Sequence, residues 1–232
     1  MLKVSNATGG YGKTEIIKNV NIDVKPGEAV ALLGRNGVGK STLMRYIMST
    51  IDDFGGSVSI DNADLPKSTS HRARAGLGYV PQGRFVFPRL SVTENIVAAA
   101  AACGHDTKEA VDKVFNEFPA MAERPHQLAG SLSGGQQQQL VIGRALATKP
   151  RFLLLDEPTE GIQPNIVDFI AEMLAHLNKE YGLAILVAEQ NLDFCLTMSQ
   201  RAYVMDKGTI VKEVTAEELK NDKELISELL GV

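Results

Sequence analysis

Apolar and polar positions divide the chain into strand-like and helix-like stretches. From Val20 to Val24 the two kinds of residue alternate, which predicts a strand with one buried face. After the turn pair Pro26-Gly27, the segment from Ala29 to Leu33 is wholly apolar, as expected of a strand that is buried on both faces. A glycine-rich segment follows, and the apolar residues between Leu43 and Met48 then recur at helical spacing. The predicted order is therefore strand, loop, helix.

The rest of the pattern predicts a helical segment between strands. Gly55-Gly56 is expected to end the first helical pattern, before a second alternating stretch from Ser57 to Ile60. Between about Val92 and Leu146 the spacing is helical and the segment is rich in alanine. Two later runs, Phe152 to Leu155 and Ala184 to Val187, resemble buried parallel strands. These features predict an α/β core that is interrupted by a helical insertion.

The C-terminal stretch predicts helix, and the chain shows no sign of a second domain. From Thr215 to Leu230 the pattern is helical, with Thr215 and Glu218 spaced as a capping box and a second polar start at Asp222. The chain has no internal repeat or long linker. We therefore expect one domain over residues 1–232, in which 1–83 and 149–232 form the α/β core and about 84–148 form a helical subdomain.

Composition narrows the class of protein. A hydrophobic content of 44% fits an ordinary globular protein, and a formal net charge of −4 argues against nucleic acid as a partner. Cys103 and Cys195 lie far apart and are expected to be buried thiols rather than metal ligands or a disulfide. The longest apolar run, Ile96 to Cys103, is much shorter than the roughly 18 residues that a membrane span requires. With no apolar signal core in Met1 to Asn6, we expect a cytoplasmic location.

A glycine-rich loop between the first buried strand and the helix has the spacing of a phosphate-binding loop. Its residues are Gly34, Arg35, Asn36, Gly37, Val38, Gly39, Lys40 and Ser41, followed by Thr42. The glycines allow backbone N–H groups to surround phosphate oxygens, and the start of the helix directs its positive end at them. Lys40 would add a positive charge, and Ser41 would be a magnesium ligand. The alternative is a glycine-rich turn with an incidental lysine.

Two acids end the buried strand that begins at Arg151. Asp156 and Glu157 follow Phe152 to Leu155 directly, so they would lie at a strand tip, where α/β proteins bind ligands. This segment looks like a Walker B motif. Asp156 would then bind magnesium, and Glu157 would polarise the attacking water. By itself, such a pair could equally form a solvated turn or a helix cap.

A second helix start resembles the first in its capacity to bind an anion. Ser133, Gly134, Gly135 and Gln136 precede a predicted helix that continues to about Ala147. The N–H groups at such a start point outward and attract negative charge. The alternative is a plain helix cap.

Taken in this order and spacing, the three motifs resemble the nucleotide-binding domain of ABC transporters over essentially the whole chain. The resemblance implies a P-loop NTPase core of α/β class, an inserted helical subdomain and a small N-terminal antiparallel β region. It implies ATP and Mg²⁺ as ligands and a head-to-tail pairing with a second ATPase subunit, either identical or different. Each ATP would lie between one phosphate loop and the partner's Ser133 to Gln136. The pair would act from the cytoplasmic face of the inner membrane, on permeases served by a periplasmic substrate-binding protein.

The resemblance assigns four more positions. Tyr11 matches the aromatic residue that stacks on adenine, and Gln82 matches the glutamine that contacts magnesium and the membrane subunit. Gln190 stands where the family usually has the histidine that contacts the γ-phosphate, and Gln163 stands where it usually has aspartate. A glutamine can still form a hydrogen bond but cannot become cationic.

Finer features suggest a subfamily. The segments Pro81 to Arg84, Phe87 to Leu90 and Glu189 to Asn191 are similar to those of ATPases that serve branched-chain amino acid and amide importers. Within that group, three segments look most like the urea importer subunit, namely Gly34 to Lys40, Pro158 to Pro164 and the glutamine run Gln136 to Gln139. We therefore expect an importer ATPase for urea or a related small amide. The alternatives are a branched-chain amino acid importer ATPase and a soluble ABC ATPase outside transport.

Overall fold

The computed structural model describes residues 1–221 and contains a four-stranded and a six-stranded sheet. The antiparallel sheet has the order β2-β1-β4-β5, where the strands are β1 (Leu2–Tyr11), β2 (Thr14–Val24), β4 (Asp52–Ile60) and β5 (Ala63–Asp64). The larger sheet contains β3 (Ala29–Leu33), β6 (Leu77–Val80), β7 (Phe152–Asp156), β8 (Ala184–Glu189), β9 (Arg201–Asp206) and β10 (Thr209–Thr215). Its order is β10-β9-β3-β8-β7-β6, and only β10 runs antiparallel to its neighbour. The α/β fold class and the separate antiparallel β region near the N-terminus match the expectation from the sequence.

Helices connect the strands and cover the sheets. The described helices are α1 (Lys40–Ile47), α2 (Thr69–Arg74), α3 (Val92–Ala102), α4 (Thr107–Glu117), α5 (Pro119–Ala122), α6 (Gly134–Ala147), α7 (Pro164–Tyr181), α8 (Leu192–Met198) and α9 (Ala216–Asn221), with a 3₁₀ turn at Ala129–Ser131. Four of them, α3 to α6, lie between β6 and β7, where the alanine-rich insertion was predicted. None of the helices within residues 1–221 has both the length and the apolar character needed to cross a membrane.

The central strand β3 is buried between two hydrophobic cores, one on each face of the six-stranded sheet. Ala29, Ala31 and Leu33 contribute to a core shared with α3, α4, α6 and α7, whereas Val30 and Leu32 contribute to a core shared with α1 and the antiparallel sheet. Because successive side chains of a strand point to opposite faces, a strand covered on both sides must be apolar throughout. The continuous apolar run therefore predicts the centre of a three-layer arrangement.

The inserted helices share a core with the sheet. Ile96, Phe118 and Leu140 belong to the same buried cluster as Leu33 and Leu155. The helical segment therefore buries its apolar surface against the sheet as well as within itself. The exact boundaries of the subdomain, 84–148, stay a prediction.

The expected role of Gly55-Gly56 was wrong. Helix α1 ends earlier, and Ser49 follows it with a left-handed backbone at φ 58°. The glycine pair instead lies inside β4, where the pairing with β1 changes register. A Cβ on Gly56 would come within 2.5 Å of the carbonyl oxygen of Asn6, so the bulge brings two backbones closer than a side chain allows.

The capping box at the last described helix is confirmed. Glu218 accepts hydrogen bonds from the N–H and hydroxyl groups of Thr215, and the Thr215 hydroxyl accepts one from the Glu218 N–H. The second helical start predicted at Asp222 lies outside the described residues. Cys195 is buried as expected, but Cys103 is only partly buried because it lies at the C-terminal end of α3.

A buried arginine holds the helix that follows the glycine-rich loop. Arg72 on α2 is 3% exposed, and its guanidinium donates to the carbonyl oxygens of Tyr46 and Ile47 at 2.9 and 2.7 Å. These carbonyls belong to the last turn of α1, which carries partial negative charge. The cation therefore stabilises the C-terminal end of α1 while the opposite end faces the loop.

Candidate functional site

The glycine-rich loop connects β3 to α1 in the way its spacing predicts. Gly39 occupies the N-cap position of α1 with a left-handed backbone at φ 115°. No side chain in the described part of the chain caps this helix. Since the first N–H groups of a helix have no partner within it, this terminus is suited to receive an anion.

Lys40 ties the loop to the acid pair. Its side chain is 3% exposed, and its ammonium group donates to the carbonyl oxygens of Gly34 and Arg35 at 2.8 and 3.2 Å. The same nitrogen lies 3.3 Å from Oε1 of Glu157. The buried Lys40 ammonium thus contacts both elements that the sequence assigned to phosphate chemistry.

Asp156 and Ser41 are joined by a hydrogen bond between the end of β7 and the start of α1. Asp156 is fully buried at the end of β7, and its Oδ1 accepts a hydrogen bond from Ser41 Oγ at 2.8 Å. Burial raises the pKa of Asp156 above its ordinary value, although the Ser41 hydrogen bond works in the opposite direction. A carboxylate and a hydroxyl oxygen in contact are hard ligands of the type that Mg²⁺ prefers, so this pair fits a magnesium ion.

Glu157 is held in an uncommon backbone conformation. Its φ is 48°, a left-handed value that only a few per cent of non-glycine residues adopt. Its N–H donates to the carbonyl oxygen of Ala188, and its Oε2 accepts from Gln82 Nε2 at 3.0 Å. Gln82 also donates to Glu160 at 3.0 Å. Burial raises the pKa of Glu157, while the charge of Lys40 opposes that shift.

These groups converge on one cavity of about 520 Å³. Its lining includes Asn36, Gly37, Ser41, Arg45, Gln82, Glu157, Thr159, Glu160, Glu189, Gln190 and Asn191. The phosphate loop, the acid pair, Gln82 and Gln190 therefore come together although they lie far apart in sequence. Gln163 is at the N-cap of α7 and is not among the lining residues described.

The second helix start lies apart from this cavity. Within the described chain, Ser133, Gly134, Gly135 and Gln136 are absent from its lining. Ser133 and Gln136 form a complete capping box, in which each side chain accepts from the backbone N–H of the other. Arg84 packs against Gly134 and donates to the carbonyl oxygens of Glu160 and Gly161.

Tyr11 lies at the end of β1, with 44% of its surface exposed. Its hydroxyl accepts a hydrogen bond from Arg45 at 2.9 Å, and Arg45 lines the cavity. Its place beside the cavity is compatible with a base-stacking role, which stays a prediction.

Three residues of the site were missed in the sequence. Arg45, Arg84 and Glu189 all contact predicted site residues or line the cavity. Only Glu189 carried a usable signal, because it is an acid at the end of a buried strand, like Asp156.

A glycine loop with a buried lysine, followed along the chain by a strand that ends in two acids, defines a P-loop nucleoside triphosphatase. The family model described as "ABC transporter" matches residues 17–160. The chain belongs to the ABC transporter family of ATP-hydrolysing subunits.

Individual relatives differ in their stated roles. The chain is 39% identical to the high-affinity branched-chain amino acid transport ATP-binding protein BraG of Pseudomonas aeruginosa, over 100% of both proteins. It is 33% identical to the lipopolysaccharide export system ATP-binding protein LptB of Haemophilus influenzae, over 100% of this chain and 97% of LptB. Among solved structures, a dimeric ATP-binding cassette in a post-hydrolysis state with ADP and Pi is 28% identical to this chain, with a TM-score of 0.83. The match covers 93% of this chain and 99% of the cassette.

Proposed function

We propose that the chain is the ATPase subunit of an importer for branched-chain amino acids. The observation that carries this proposal is the 39% identity with BraG over the full length of both proteins. The urea expectation rests on short segments alone, chiefly Pro158 to Pro164 and Gln136 to Gln139. Urea or a related small amide therefore takes second place.

The site residues have the following roles in the proposal. Backbone N–H groups from Gly34 to Thr42 surround the phosphates, and the Lys40 ammonium contacts them directly. Ser41, Asp156 and Gln82 hold Mg²⁺, which neutralises phosphate charge when it is bound. Glu157 orients and polarises the attacking water, and the Gln190 amide forms a hydrogen bond to the γ-phosphate. Tyr11 stacks on the adenine.

The functional unit is a dimer on membrane permeases. The capping-box helix of one subunit, with Ser133, Gly134, Gly135 and Gln136, faces the ATP that is bound to the phosphate loop of the other. A solved relative that is a dimer with ADP and Pi supports this arrangement. The second subunit is identical to this chain or a close relative. The pair works at the cytoplasmic face of the inner membrane and serves a periplasmic substrate-binding protein indirectly.

An exposed apolar surface near Gln82 supports permease docking. Phe85, Phe87 and Leu128 are 66%, 45% and 54% exposed. Large apolar side chains exposed together commonly mark a protein interface. A permease segment bound here would lie close to Gln82, and so to the carboxylate of Glu157.

The proposal is tested by uptake. The chain is co-expressed with the permeases and binding protein encoded beside it, in a host that lacks its own branched-chain amino acid and urea importers. Accumulation of labelled leucine and labelled urea is then compared. Leucine uptake that requires ATP and disappears in the Glu157→Gln variant supports the proposal.

Uptake of urea without leucine would transfer the assignment to the second candidate. If the chain fails to co-purify with the permeases, and both uptake rates equal those of cells without it, the importer assignment is lost. Whichever cargo is taken up, the purified chain should hydrolyse ATP. An ATPase assay therefore tests the hydrolysis reaction independently of the identity of the cargo.

A further inference from the structure

A buried carboxylate outside the known motifs joins two loops of the cavity. Glu189 is the last residue of β8, and it is 4% exposed. Its Oε1 accepts hydrogen bonds from the backbone N–H and the hydroxyl of Thr159. Its Oε2 accepts from the backbone N–H groups of Gln190 and Asn191 at 2.8 and 3.1 Å. A single side chain therefore satisfies four donors from two separate segments.

In the described part of the chain, hydrogen bonds rather than an ion pair hold the Glu189 carboxylate. Within residues 1–221, no lysine, arginine or histidine forms an ion pair with this carboxylate. A buried charge is costly unless hydrogen bonds replace its lost hydration. The four donors provide that replacement, so the position of each loop is tied to the position of the charge.

The two segments adjoin the residues that were assigned to the attacking water and to the γ-phosphate, which are Glu157 and Gln190. Thr159 lies two positions after Glu157, and Gln190 follows Glu189 directly. Both segments line the same cavity. Asn191 also begins α8, because its side chain accepts a hydrogen bond from the N–H of Phe194. The carboxylate thus connects the acid-pair loop to a loop that is anchored on a helix.

We propose that Glu189 is a positioning residue for ATP hydrolysis, whose carboxylate fixes the Glu157 loop against the Gln190 loop so that both side chains face one phosphate. The inference rests on the roles proposed above for Glu157 and Gln190. Lys40 and the phosphate loop do not contact Glu189 by hydrogen bond or ion pair, so nucleotide binding does not depend on it directly. Its effect falls on turnover.

The test uses Glu189→Gln in the full chain, with separate measurements of turnover and of ATP affinity. The amide is nearly the same size, but its NH₂ group would face the N–H groups of Gln190 and Asn191, donor against donor. A displacement of reacting groups by about 1 Å can lower the rate of reaction by about 100-fold. We therefore expect kcat to fall by about 10- to 100-fold. The Kd for a fluorescent ATP analogue should stay within about twofold, because the phosphate loop is unchanged.

Two further variants separate positioning from general stability. Glu189→Asp keeps the charge but is shorter, and we expect it to recover part of the lost kcat. Thr159→Val removes only the hydroxyl donor and should lower kcat by about fivefold, as expected for one hydrogen bond. In the double variant, Thr159→Val should add little to Glu189→Gln, since both substitutions weaken the same link between the two loops.

Glu94→Gln is the matched control. The Glu94 carboxylate also accepts a backbone hydrogen bond, from the N–H of Ser91, but it does so within the capping box of α3, and Glu94 is not among the residues that line the cavity. The kcat of the Glu94→Gln variant should equal that of the unchanged protein. The proposal is overturned if Glu189→Gln keeps kcat within about twofold. It is also overturned if kcat, ATP affinity and melting temperature fall together, which would indicate a purely structural role.

The outcome is decided even if Glu189→Gln does not fold, because Thr159→Val alone then supports the proposal by a lower kcat at unchanged affinity or rejects it by an unchanged kcat. Failure of the proposed roles has a different signature, since Glu157→Gln would then retain turnover. Failure of the cargo assignment changes uptake and leaves these ATPase measurements untouched.

Discussion

The two helix starts assigned to phosphate, at α1 and at α6, are built differently. At α1 the N-cap is Gly39, and no side chain in the described chain caps the helix. At α6, Ser133 and Gln136 satisfy one another's backbone N–H groups in a complete capping box. Both termini carry the partial positive charge of a helix dipole. Within the described chain, the α1 terminus contributes to the cavity that Glu157 lines, and the α6 terminus does not.

This difference in capping indicates that the two helix starts would contribute to a nucleotide site in different ways. The α1 terminus is suited to bind an anion, because its first N–H groups have no side-chain cap and the buried Lys40 ammonium lies beside them. The α6 terminus is already stable as a capped helix in a single chain, since such a cap contributes about 1 kcal/mol. In the proposed dimer, the second subunit brings a phosphate to it. A single chain should therefore bind ATP through one helix start and leave the other without a phosphate partner.

The largest expected effect comes from Lys40→Ala, which disables the α1 terminus. The change removes the buried ammonium from the loop and leaves Glu157 without its ion-pair partner. We expect turnover to fall by about 100-fold or more, as when a preorganised charge is removed, together with weaker binding of nucleotide. Phosphate release and titration with a fluorescent ATP analogue measure the two effects. Unchanged affinity would mean that α1 is not the phosphate site.

Glu157→Gln should trap the state in which both helix starts face the same nucleotide. The amide keeps the size of the side chain and can still bond to Gln82, but it cannot polarise water. We expect ATP binding to persist while hydrolysis slows by about 100-fold or more.

The dimer should then accumulate with ATP, which light scattering on a size-exclusion column detects. The same measurement without nucleotide serves as the control and should give monomers. Hydrolysis at the normal rate would contradict the role of Glu157.

Ser133→Ala tests the α6 terminus alone. Loss of the cap should lower the free energy of unfolding by about 1 kcal/mol and leave the ATP affinity of the single chain unchanged. In the Glu157→Gln background it should weaken the ATP-dependent dimer. Urea unfolding, nucleotide titration and light scattering measure the three outcomes.

Ser91→Ala is the matched control, because Ser91 caps α3 in the same way but was not assigned to a nucleotide contact. The Ser91→Ala variant should lose a similar free energy of unfolding, and its ATP-dependent dimer should not be weakened. If both serine variants weaken the dimer equally, the comparison between α1 and α6 loses its basis.

The sequence predicted the elements that are determined locally. The apolar run of β3, the helical spacing of α1 and the strand that ends in Asp156 all appear where expected. Each depends on neighbouring residues, and burial on both faces leaves little freedom of composition. The Gly55-Gly56 pair misled because a glycine pair that ends a helix and one that permits a β-bulge look alike in sequence.

The parts of the site that were missed are contacts between distant segments. Glu189 reaches Thr159 across 30 positions, and Arg84 reaches Gly161 across 77. Both residues lie in segments that resemble a subfamily, but that resemblance does not say which distant residue each one contacts, and only the fold brings the partners together. Glu189 could have been found by applying the strand-tip argument used for Asp156 to every buried strand.

The smallest expected effect concerns the charge of the capping residue. Helix α3 has the same cap as α6, but its third residue is Glu94, whereas that of α6 is the neutral Gln136. Hydrogen bonds from the Ser91 backbone and hydroxyl lower the pKa of Glu94 below its ordinary value of 4.5. Because the pKa is lower in the folded state, this cap stabilises fully above pH 4.5 and weakens as the pH falls through the lowered value.

The α6 cap should not change over that range, since an amide does not titrate. NMR chemical shifts of the Ser91 and Ser133 amides, followed from neutral pH to below 4.5, measure the two caps in one sample. We expect the Ser91 amide to titrate and the Ser133 amide to stay constant while the protein remains folded. Glu94→Gln should abolish the first titration and make α3 behave like α6. Parallel titration of both amides would show that the α6 terminus senses charge from another group and is not closed by its own cap.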